Sequence, residues 1–271
     1  MRLAPEENAS ATVITTAQDL RGHWDGGGTY IPSDPDARDR EYRVEGRVMG
    51  RIGRHFQFGA IVPVLHTTRK TVDSSSSGGG LGDVTVLTRW DFVKPGGEGA
   101  WPGIAATMSL SLPTGRSPFN SKDPSLADVT GAGAYELRPG IALEKNWWTG
   151  WYVLAAAGVG FYAPFKSDRD VTIQLGPRML AFVAVGKSWT NGFGLAGALS
   201  YDREAGPRVD GVRSVLFRAR PSAMLFGSYA VDDHWTLIAS GQWDLPISDL
   251  GRQQLAGITV GLGVRRAWNV Y

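Results

Sequence analysis

Charged side chains at every second position are the residues in this sequence most able to do chemistry. In the stretch "RVEGRVMGR", Arg43, Glu45, Arg47 and Arg51 alternate with apolar or small residues. Residues two apart in a β-strand share one face, so guanidinium and carboxylate groups would follow one another along that face. The same spacing gives the complete candidate set, which is Arg43, Glu45, Arg47, Arg51, Arg89, Asp91, Glu136, Arg138, Glu144, Arg178, Arg218, Arg220 and Asp244.

The histidines and serines give a weaker signal for hydrolysis. None of His23, His55, His66 and His234 belongs to a metal-ligand motif. Ser240 and His234 lie six residues apart on one predicted strand, and a barrel hydrolase needs a serine–histidine pair near its outer rim. No nucleophile motif surrounds Ser240, so we expect no catalytic residues.

Metal, cofactor and nucleic-acid sites are equally weak. Asp34, Asp36 and Asp39 could contribute to a calcium site, but Pro35 and the missing glycine and distal glutamate favour a solvated loop. The absence of cysteine excludes thiol chemistry and cysteine-bound metals. A formal net charge of +2 gives no strong field that would attract nucleic acid. We expect no metal, no cofactor and no nucleic-acid partner.

Twelve alternating segments would position the charged side chains. Runs of roughly ten residues with period-two hydrophobicity predict strands, and the breaks between them are short, then long, in turn. The predicted strands are, approximately, residues 11–19, 41–53, 56–67, 82–93, 102–113, 129–144, 151–165, 171–189, 193–202, 214–230, 235–245 and 253–268.

The two faces and the two kinds of connection predict a barrel in a membrane. Short turns such as "WTNG" and "VDDH" alternate with long loops such as "TGRSPFNSKDPSLAD", which is typical of outer-membrane barrels with periplasmic turns and extracellular loops. One face is apolar; the other carries small residues with scattered arginine and glutamate, which suits a wet lumen. A soluble sandwich would instead present many lysines and glutamates on its polar face.

Tryptophan placement supports the same interpretation, because indole rings prefer the bilayer interface. Trp24 and Trp243 lie near long loops. The membrane-interface candidates all lie at short-turn ends, and they are Trp90, Trp101, Trp147, Trp148, Trp151, Trp189, Trp235 and Trp268.

A transmembrane helix is a competing interpretation for residues 146–165, the most apolar span of the chain. Its length could cross a bilayer. However, Gly150, Gly158, Gly160 and Pro164 are poor helix formers, and a single helix would leave the strand pattern elsewhere unexplained.

Three short segments carry a family resemblance: "MGRIGRHFQFGAIVPV", "SSSSGGGLGDVTVLTRWDF" and "MSLSLPTGR". In order and spacing they resemble the outer-membrane MetA-pathway of phenol degradation family of transporters. The resemblance covers about residue 40 to the end in organisation. It implies a monomeric barrel that passes small molecules, often apolar or aromatic, and it brings no catalytic residues.

The sequence therefore predicts one all-β domain over residues 1–271, a closed antiparallel transmembrane β-barrel of about twelve strands in the outer membrane of a Gram-negative bacterium. We expect a channel or transporter for small, hydrophobic or aromatic solutes and no enzyme. The alternatives are a barrel enzyme acting on lipids, of phospholipase or lipid A deacylase type, and a non-conducting structural barrel. No signal peptide is recognisable, so an exported chain would be a mature or trimmed form.

The state of the lumen stays open at this level. The charged residues could line a water-filled pore and favour anions, or they could pair across a closed lumen because buried charges need partners. Residues 1–10 could be a periplasmic segment or a plug. The expected partners are membrane lipids, a small-molecule solute and, during insertion, the barrel-assembly machinery, and we expect a monomer.

Overall fold

The period-two pattern forms strands along almost the whole chain. The structure is a computed structural model that describes residues 3–4, 7–34, 36–70, 74–94, 101–168 and 170–269. Twelve long strands make up the wall: β1 Glu7–Trp24, β2 Arg38–Ile52, β3 Phe56–Lys70, β4 Val84–Val93, β5 Gly103–Leu112, β6 Glu136–Asn146, β7 Trp151–Tyr162, β8 Arg178–Ser188, β9 Phe193–Glu204, β10 Arg218–Ala230, β11 Trp235–Asp244 and β12 Leu255–Asn269.

The strands close into a barrel of simple up-and-down topology. Each strand pairs antiparallel with its neighbours in sequence, and β12 pairs with β1. This closing ladder runs from Glu7 opposite Asn269 to His23 opposite Leu255. Closure leaves the wall without a free sheet edge, which is the condition for a sheet to cross hydrocarbon.

The two faces of the wall differ as the alternation predicts. Large apolar side chains such as Val48 and Leu262 are 54% and 70% exposed on the outer face. Away from the loop end, the described residues leave that face uncovered, so a charged side chain that is buried in the wall lies inside. Arg89, Asp91 and Glu144 are buried. They and every second residue from them along β4 and β6 therefore lie on the inner face.

All twelve predicted strands are present, and the differences lie at their ends. β6 begins at Glu136 rather than near residue 129, because Gly133 adopts a left-handed φ of +77° and residues 113–135 form a loop instead. β8 begins at Arg178 rather than near 171. The predicted short connection across residues 95–100 lies outside the described residues.

The apolar span at residues 146–165 is not a helix, so that alternative is wrong. It contains the whole of β7. Among the described residues, no helix has the length and apolar character needed to span a membrane. The described helical structure is one 3₁₀ turn at Pro118–Asn120.

Short strands tie the long loops together at one end of the barrel. Tyr30–Pro32 extends the wall beside β1, and Ser75–Leu81 extends it beside β3. A second sheet joins two loops through the strands Phe165–Lys166, Thr172–Gln174, Arg208–Val209 and Val212–Arg213. Strand pairing therefore connects the loops at one end of the barrel. At the other end, tight turns join neighbouring strands.

The loop between β5 and β6 is fastened by carboxylates. Asp83 accepts hydrogen bonds from the backbone N–H groups of Gly115 and Ala132, at 2.9 and 2.6 Å. Burial acts to raise the pKa of Asp128, but hydrogen bonds from Ser121, from the backbone of Lys122 and from Arg116 outweigh it and hold that pKa well below its usual range. Asp128 therefore stays charged at neutral pH and keeps these hydrogen bonds.

Trp24 anchors two loops beside the closing ladder. It is 1% exposed and donates its indole N–H to the carbonyl oxygen of Ile247 at 3.2 Å. A Cβ added at Gly251 would lie 2.1 Å from the indole ring, so only glycine fits there without a shift. The indole of Trp24 is thus packed under loops and does not lie at a lipid interface.

We predict that Trp24→Ala weakens the barrel while Trp148→Ala does not. Removing a buried indole leaves a cavity and should cost about 3–5 kcal/mol, whereas Trp148 is 92% exposed and its loss should change stability by no more than about 0.5 kcal/mol. The measurement is urea-induced unfolding in detergent followed by the mobility shift of folded barrel on a gel. Equal midpoints for the two variants would contradict the anchoring role.

Candidate functional site

The structure places all thirteen charged candidates at inner-face positions of six strands. The assignment follows from the parity of the buried residues and from cross-strand register. By strand, they are Arg43, Glu45, Arg47 and Arg51 on β2, Arg89 and Asp91 on β4, Glu136, Arg138 and Glu144 on β6, Arg178 on β8, Arg218 and Arg220 on β10, and Asp244 on β11.

Strand β2 carries a row of ion pairs from Glu41 to Arg47. We call the inner-face residues 39–51 of this strand the charged ladder. Arg43 contacts Glu41 at 2.9 Å and Glu45 at 3.4 Å, and Arg47 contacts Glu45 at 2.5 Å. The partners are two residues apart, so the pleat itself places them side by side. The arginines remain partly exposed.

A buried ionic cluster lies near the turn end. Arg89 donates through Nε to Asp91 and through Nη1 to Glu144, both at 2.7 Å. Its side chain is 5% exposed. Gln57, which is fully buried, donates to Asp91 at 3.0 Å. Three strands, β3, β4 and β6, are joined by this cluster.

The chain's N-terminal part reaches the same cluster from inside. Leu3 is fully buried and donates its N–H to Gln57 Oε1 at 2.8 Å. Arg51 donates to the carbonyl oxygens of Leu3 and Ala4 at 3.2 and 2.8 Å. From Glu7 onward the chain is part of the wall, where Glu7 pairs with Arg265.

Ion pairs between neighbouring strands occupy the loop end. Arg178 forms a two-pronged pair with Asp202, and Arg220 lies 3.9 Å from Asp244. Asp244 also accepts a hydrogen bond from Ser222 at 2.6 Å. A polar cavity of about 110 Å³ lies between these groups.

The inner charges balance, and their pairs do not cross the lumen. Among the described residues, each ion pair of the inner face joins groups on one strand, on adjacent strands or on strands two apart. In the described part of the chain, ten arginines and ten carboxylates lie on the inner face. The arginines are Arg43, Arg47, Arg51, Arg69, Arg89, Arg138, Arg178, Arg218, Arg220 and Arg265, and the carboxylates are Glu7, Asp39, Glu41, Glu45, Asp91, Glu136, Glu144, Asp202, Glu204 and Asp244.

The wall opposite the charged ladder is apolar. β2 and β8 are six strands apart in a ring of twelve, so they face each other. The inner face of β8 presents Leu180 and Phe182, and the inner face of β10 presents Phe226 two strands along and nearer the turn end. These side chains are only half-buried, so the middle of the lumen is not filled as a core would be.

Sequence reasoning missed the pairing partners Glu7, Asp39, Glu41, Asp202 and Glu204. Asp39, Glu204 and Arg69 have inner parity but lie beyond the ends of the predicted strands, so longer strands would have included them. Glu41, Asp202 and Arg265 lie within the predicted strands at inner positions and were overlooked. Glu7 follows no such pattern, because a register shift between Glu7 and Ala9 turns it inward.

The eight candidate interface tryptophans lie at the turn end of the wall or in its turns. All eight are exposed, with Trp148 at 92% and Trp101 at 83%. Two basic side chains lie among them. Lys187 stands over the rings of Trp151 and Trp189, and Arg266 stands over those of Trp235 and Trp268.

The weaker candidates are not assembled into sites. Ser240 lies on the inner face of β11 and His234 in the turn before it, and no hydrogen bond of the described residues joins them. Asp39 pairs with Arg69 inside the barrel, away from the loop that holds Asp34 and Asp36. Within the described part of the chain, no cluster of three or more possible ligands could hold a metal ion.

A closed antiparallel sheet with an apolar outer face and a charged, ion-paired inner wall defines the class of outer-membrane β-barrels. Solved structures agree with this fold. The COG4313 outer membrane channel from Pseudomonas putida F1 is 14% identical with a TM-score of 0.80, over 98% of this chain and 97% of that one. The translocator domain of the autotransporter NalP from Neisseria meningitidis is 13% identical with a TM-score of 0.52, over 96% and 88%. The KdgM porin is 10% identical with a TM-score of 0.53, over 95% and 99%.

The family model described as "Putative MetA-pathway of phenol degradation" matches residues 40–261. The chain belongs to this family, as the resemblance of its sequence segments implies. No curated protein sequence matches it.

We predict that Arg89→Ala destabilises the barrel far more than Arg47→Ala. The first change leaves the buried carboxylates of Asp91 and Glu144 without their main partner, which typically costs about 3–5 kcal/mol. The second removes a partly exposed partner and should cost no more than about 1 kcal/mol. Urea-induced unfolding in detergent gives both values, and a small loss for Arg89→Ala would show that the cluster is not closed to water.

Proposed function

We propose that the protein is an outer-membrane channel that passes small, uncharged, hydrophobic or aromatic solutes. The observation that carries the proposal is the apolar inner wall of β8 and β10, where Leu180, Phe182 and Phe226 stand half-buried across the lumen from the charged ladder. A structural barrel would gain stability by filling that space. Membership of the family and the fold of a solved outer membrane channel support a passage role.

Charge balance favours uncharged solutes over anions. Ten guanidinium groups are matched by ten carboxylates, and most of them form close pairs along the wall. The lumen therefore carries little net charge, and a fixed field that would select anions is absent from this arrangement. Partly exposed members of the thirteen predicted inner residues, such as Arg43 and Arg47, would line the passage as paired, hydrated groups, while Arg89, Asp91 and Glu144 stay buried in the wall.

The N-terminal segment narrows the turn end in this proposal. Leu3 is fully buried beside Gln57, and Arg51 holds the backbone of Leu3 and Ala4. A solute leaving the lumen must pass this segment or displace it. The segment acts as a partial plug, while the residues from Glu7 onward belong to the wall.

The outer surface fits a monomer surrounded by lipid. The turn-end tryptophans would place their indole rings at the periplasmic interface of the bilayer, where such rings are stabilised. Insertion of a closed barrel through the barrel-assembly machinery is part of the same proposal. We propose no enzymatic activity, because Ser240 and His234 do not meet among the described hydrogen bonds.

Solute uptake tests the proposed function. Gram-negative cells that express the chain should take up labelled toluene from dilute solution several times faster than cells that express a folded barrel without this lumen. Phe182→Ala, on the inner wall, should alter the initial rate. Phe161→Ala, on the outer face of β7 and 55% exposed, should leave it unchanged. Equal uptake with and without the protein would refute a hydrophobic-solute channel.

Ion currents test the state of the lumen. In planar bilayers the refolded protein should give small steps whose reversal potential in a salt gradient lies near zero, because the inner charges balance. Gln57→Ala removes the acceptor for Leu3 and should increase the step size. Gln242→Ala, an inner-face residue near the loop end, is the matched control. A strong preference for anions would contradict the charge balance of the lumen. Identical step sizes for the two variants would contradict the plug.

A further inference from the structure

A cavity in the inner wall lies between the apolar wall and the buried ionic cluster. Its volume is about 230 Å³, and it is bounded by Leu87, Arg89, Thr107, Arg138, Leu180 and Phe182. All six side chains have inner-face parity on β4, β5, β6 and β8. The cavity is therefore a recess of the lumen rather than a groove on the lipid face.

Two glycines form the floor of this recess. Gly140 and Gly158 lie opposite each other on β6 and β7 and line the cavity. A Cβ at Gly140 would lie 2.8 Å from the hydroxyl oxygen of Thr107 and 2.7 Å from the carbonyl oxygen of Ala157. Side chains are thus excluded from the floor, which keeps the recess open.

The size and lining of the recess suit one ring. An apolar protein cavity of about 150 Å³ is large enough for benzene, so about 230 Å³ leaves room for a ring with one small substituent. Leu180 and Phe182 supply apolar contacts on one side, and Leu87 adds one beside Arg89. Thr107, Arg89 and Arg138 supply hydrogen-bond donors on the other.

Arg89 gives a specific reason for an oxygen on the ligand. Its Nε and Nη1 groups are paired with Asp91 and Glu144, but its buried Nη2 has no hydrogen-bond acceptor among the described residues. Such buried unpaired donors are rare in native structures and destabilising. Arg89 also lines the recess, and an acceptor oxygen that reached Nη2 from there would relieve that cost.

The surrounding charges select a neutral ligand. Arg89 and Arg138 line the recess and oppose a cation, while Asp91, Glu144 and Glu136 stand behind them as their partners. These three carboxylates exceed the two guanidinium groups by one charge and oppose an anion. An uncharged hydroxyl or carbonyl oxygen is repelled neither by the arginines nor by the carboxylates.

We propose that this recess is a solute-binding subsite for a small uncharged ring bearing one hydrogen-bond-accepting oxygen. The inference deepens the proposed channel function by assigning a resting position and a chemical class to the solute. Leu180 and Phe182 pack against the ring, and the arginine side of the recess donates a hydrogen bond to the oxygen. A solute would pause there during passage.

Direct binding tests the subsite without any flux. Four ring probes of matched size are titrated into the full chain in lipid nanodiscs and followed by ¹⁹F NMR, with empty nanodiscs as the blank for partition into lipid. They are 4-fluorobenzyl alcohol, 4-fluorotoluene, 4-fluorobenzoate and 4-fluorobenzylamine. We expect the alcohol to bind about tenfold more tightly than the toluene, the size of one hydrogen bond. Tighter binding of either charged probe would overturn the selection for neutral ligands.

Three variants assign the binding to this recess. Arg89→Lys keeps the ion pairs but removes the planar fork, so it should abolish the preference for the alcohol over the toluene. Phe182→Ala should weaken both probes about tenfold or more, while Phe226→Ala, on the inner face of β10 outside the recess, should change neither. Variants are compared only after gel mobility shows a folded barrel. Equal effects of Phe182→Ala and Phe226→Ala would refute the subsite.

Binding and transport fail independently. If toluene uptake is enhanced but the alcohol shows no preferred binding, the channel function stands and the subsite is wrong. If the alcohol binds as expected but uptake is not enhanced, the recess is a ligand site in a barrel that does not carry solute.

Discussion

Closure of the sheet on itself is the constraint on which the rest of the structure depends. A strand that crosses hydrocarbon must pair every backbone N–H and C=O, and only a closed ladder from β12 back to β1 achieves this. Closure then leaves one face for lipid and one for the interior. Because lipid rejects charge, ionic groups in the middle of the wall strands are forced inward, whereas outward ones such as Lys187 and Arg266 lie among the tryptophans near the strand ends. The crowded inner wall is a consequence of that division and not an independent feature.

The charged groups on the inner face are stabilised by pairing with opposite charges on the same strand or on nearby strands. The two-residue spacing of a strand brings Arg43 beside Glu45 and Arg138 beside Glu136 with no need for loops or distant segments. Local pairing keeps the side chains against the wall, so they do not bridge the lumen. The space left in the middle is then bordered on one side by ions and on the other by Leu180 and Phe182. Such a two-sided interior suits solutes that are themselves amphipathic.

The sequence was sufficient for the strands and for the direction of each side chain, because period-two alternation is a local property. It identified the arginines of β2 and the carboxylates of β4 and β6 as inner residues. It could not reveal that Gln57 links Asp91 to Leu3, because those residues meet only after the barrel closes. It also misjudged the setting of Trp24, whose burial depends on Gly251 at the far end of the chain. Loop packing of this kind produces no periodic pattern in the sequence.

The ladder between β1 and β12 also has a consequence for how the molecule forms. Its partners, such as Ser10 and Ala267, stand at opposite ends of the polypeptide, so the ring can be sealed only after the whole chain has been made. Contacts of such long sequence separation slow folding. Until they form, β1 and β12 are open edges that invite pairing with other chains. Pairing of β12 with β1 therefore limits the rate of assembly. Until it forms, the chain needs protection from aggregation.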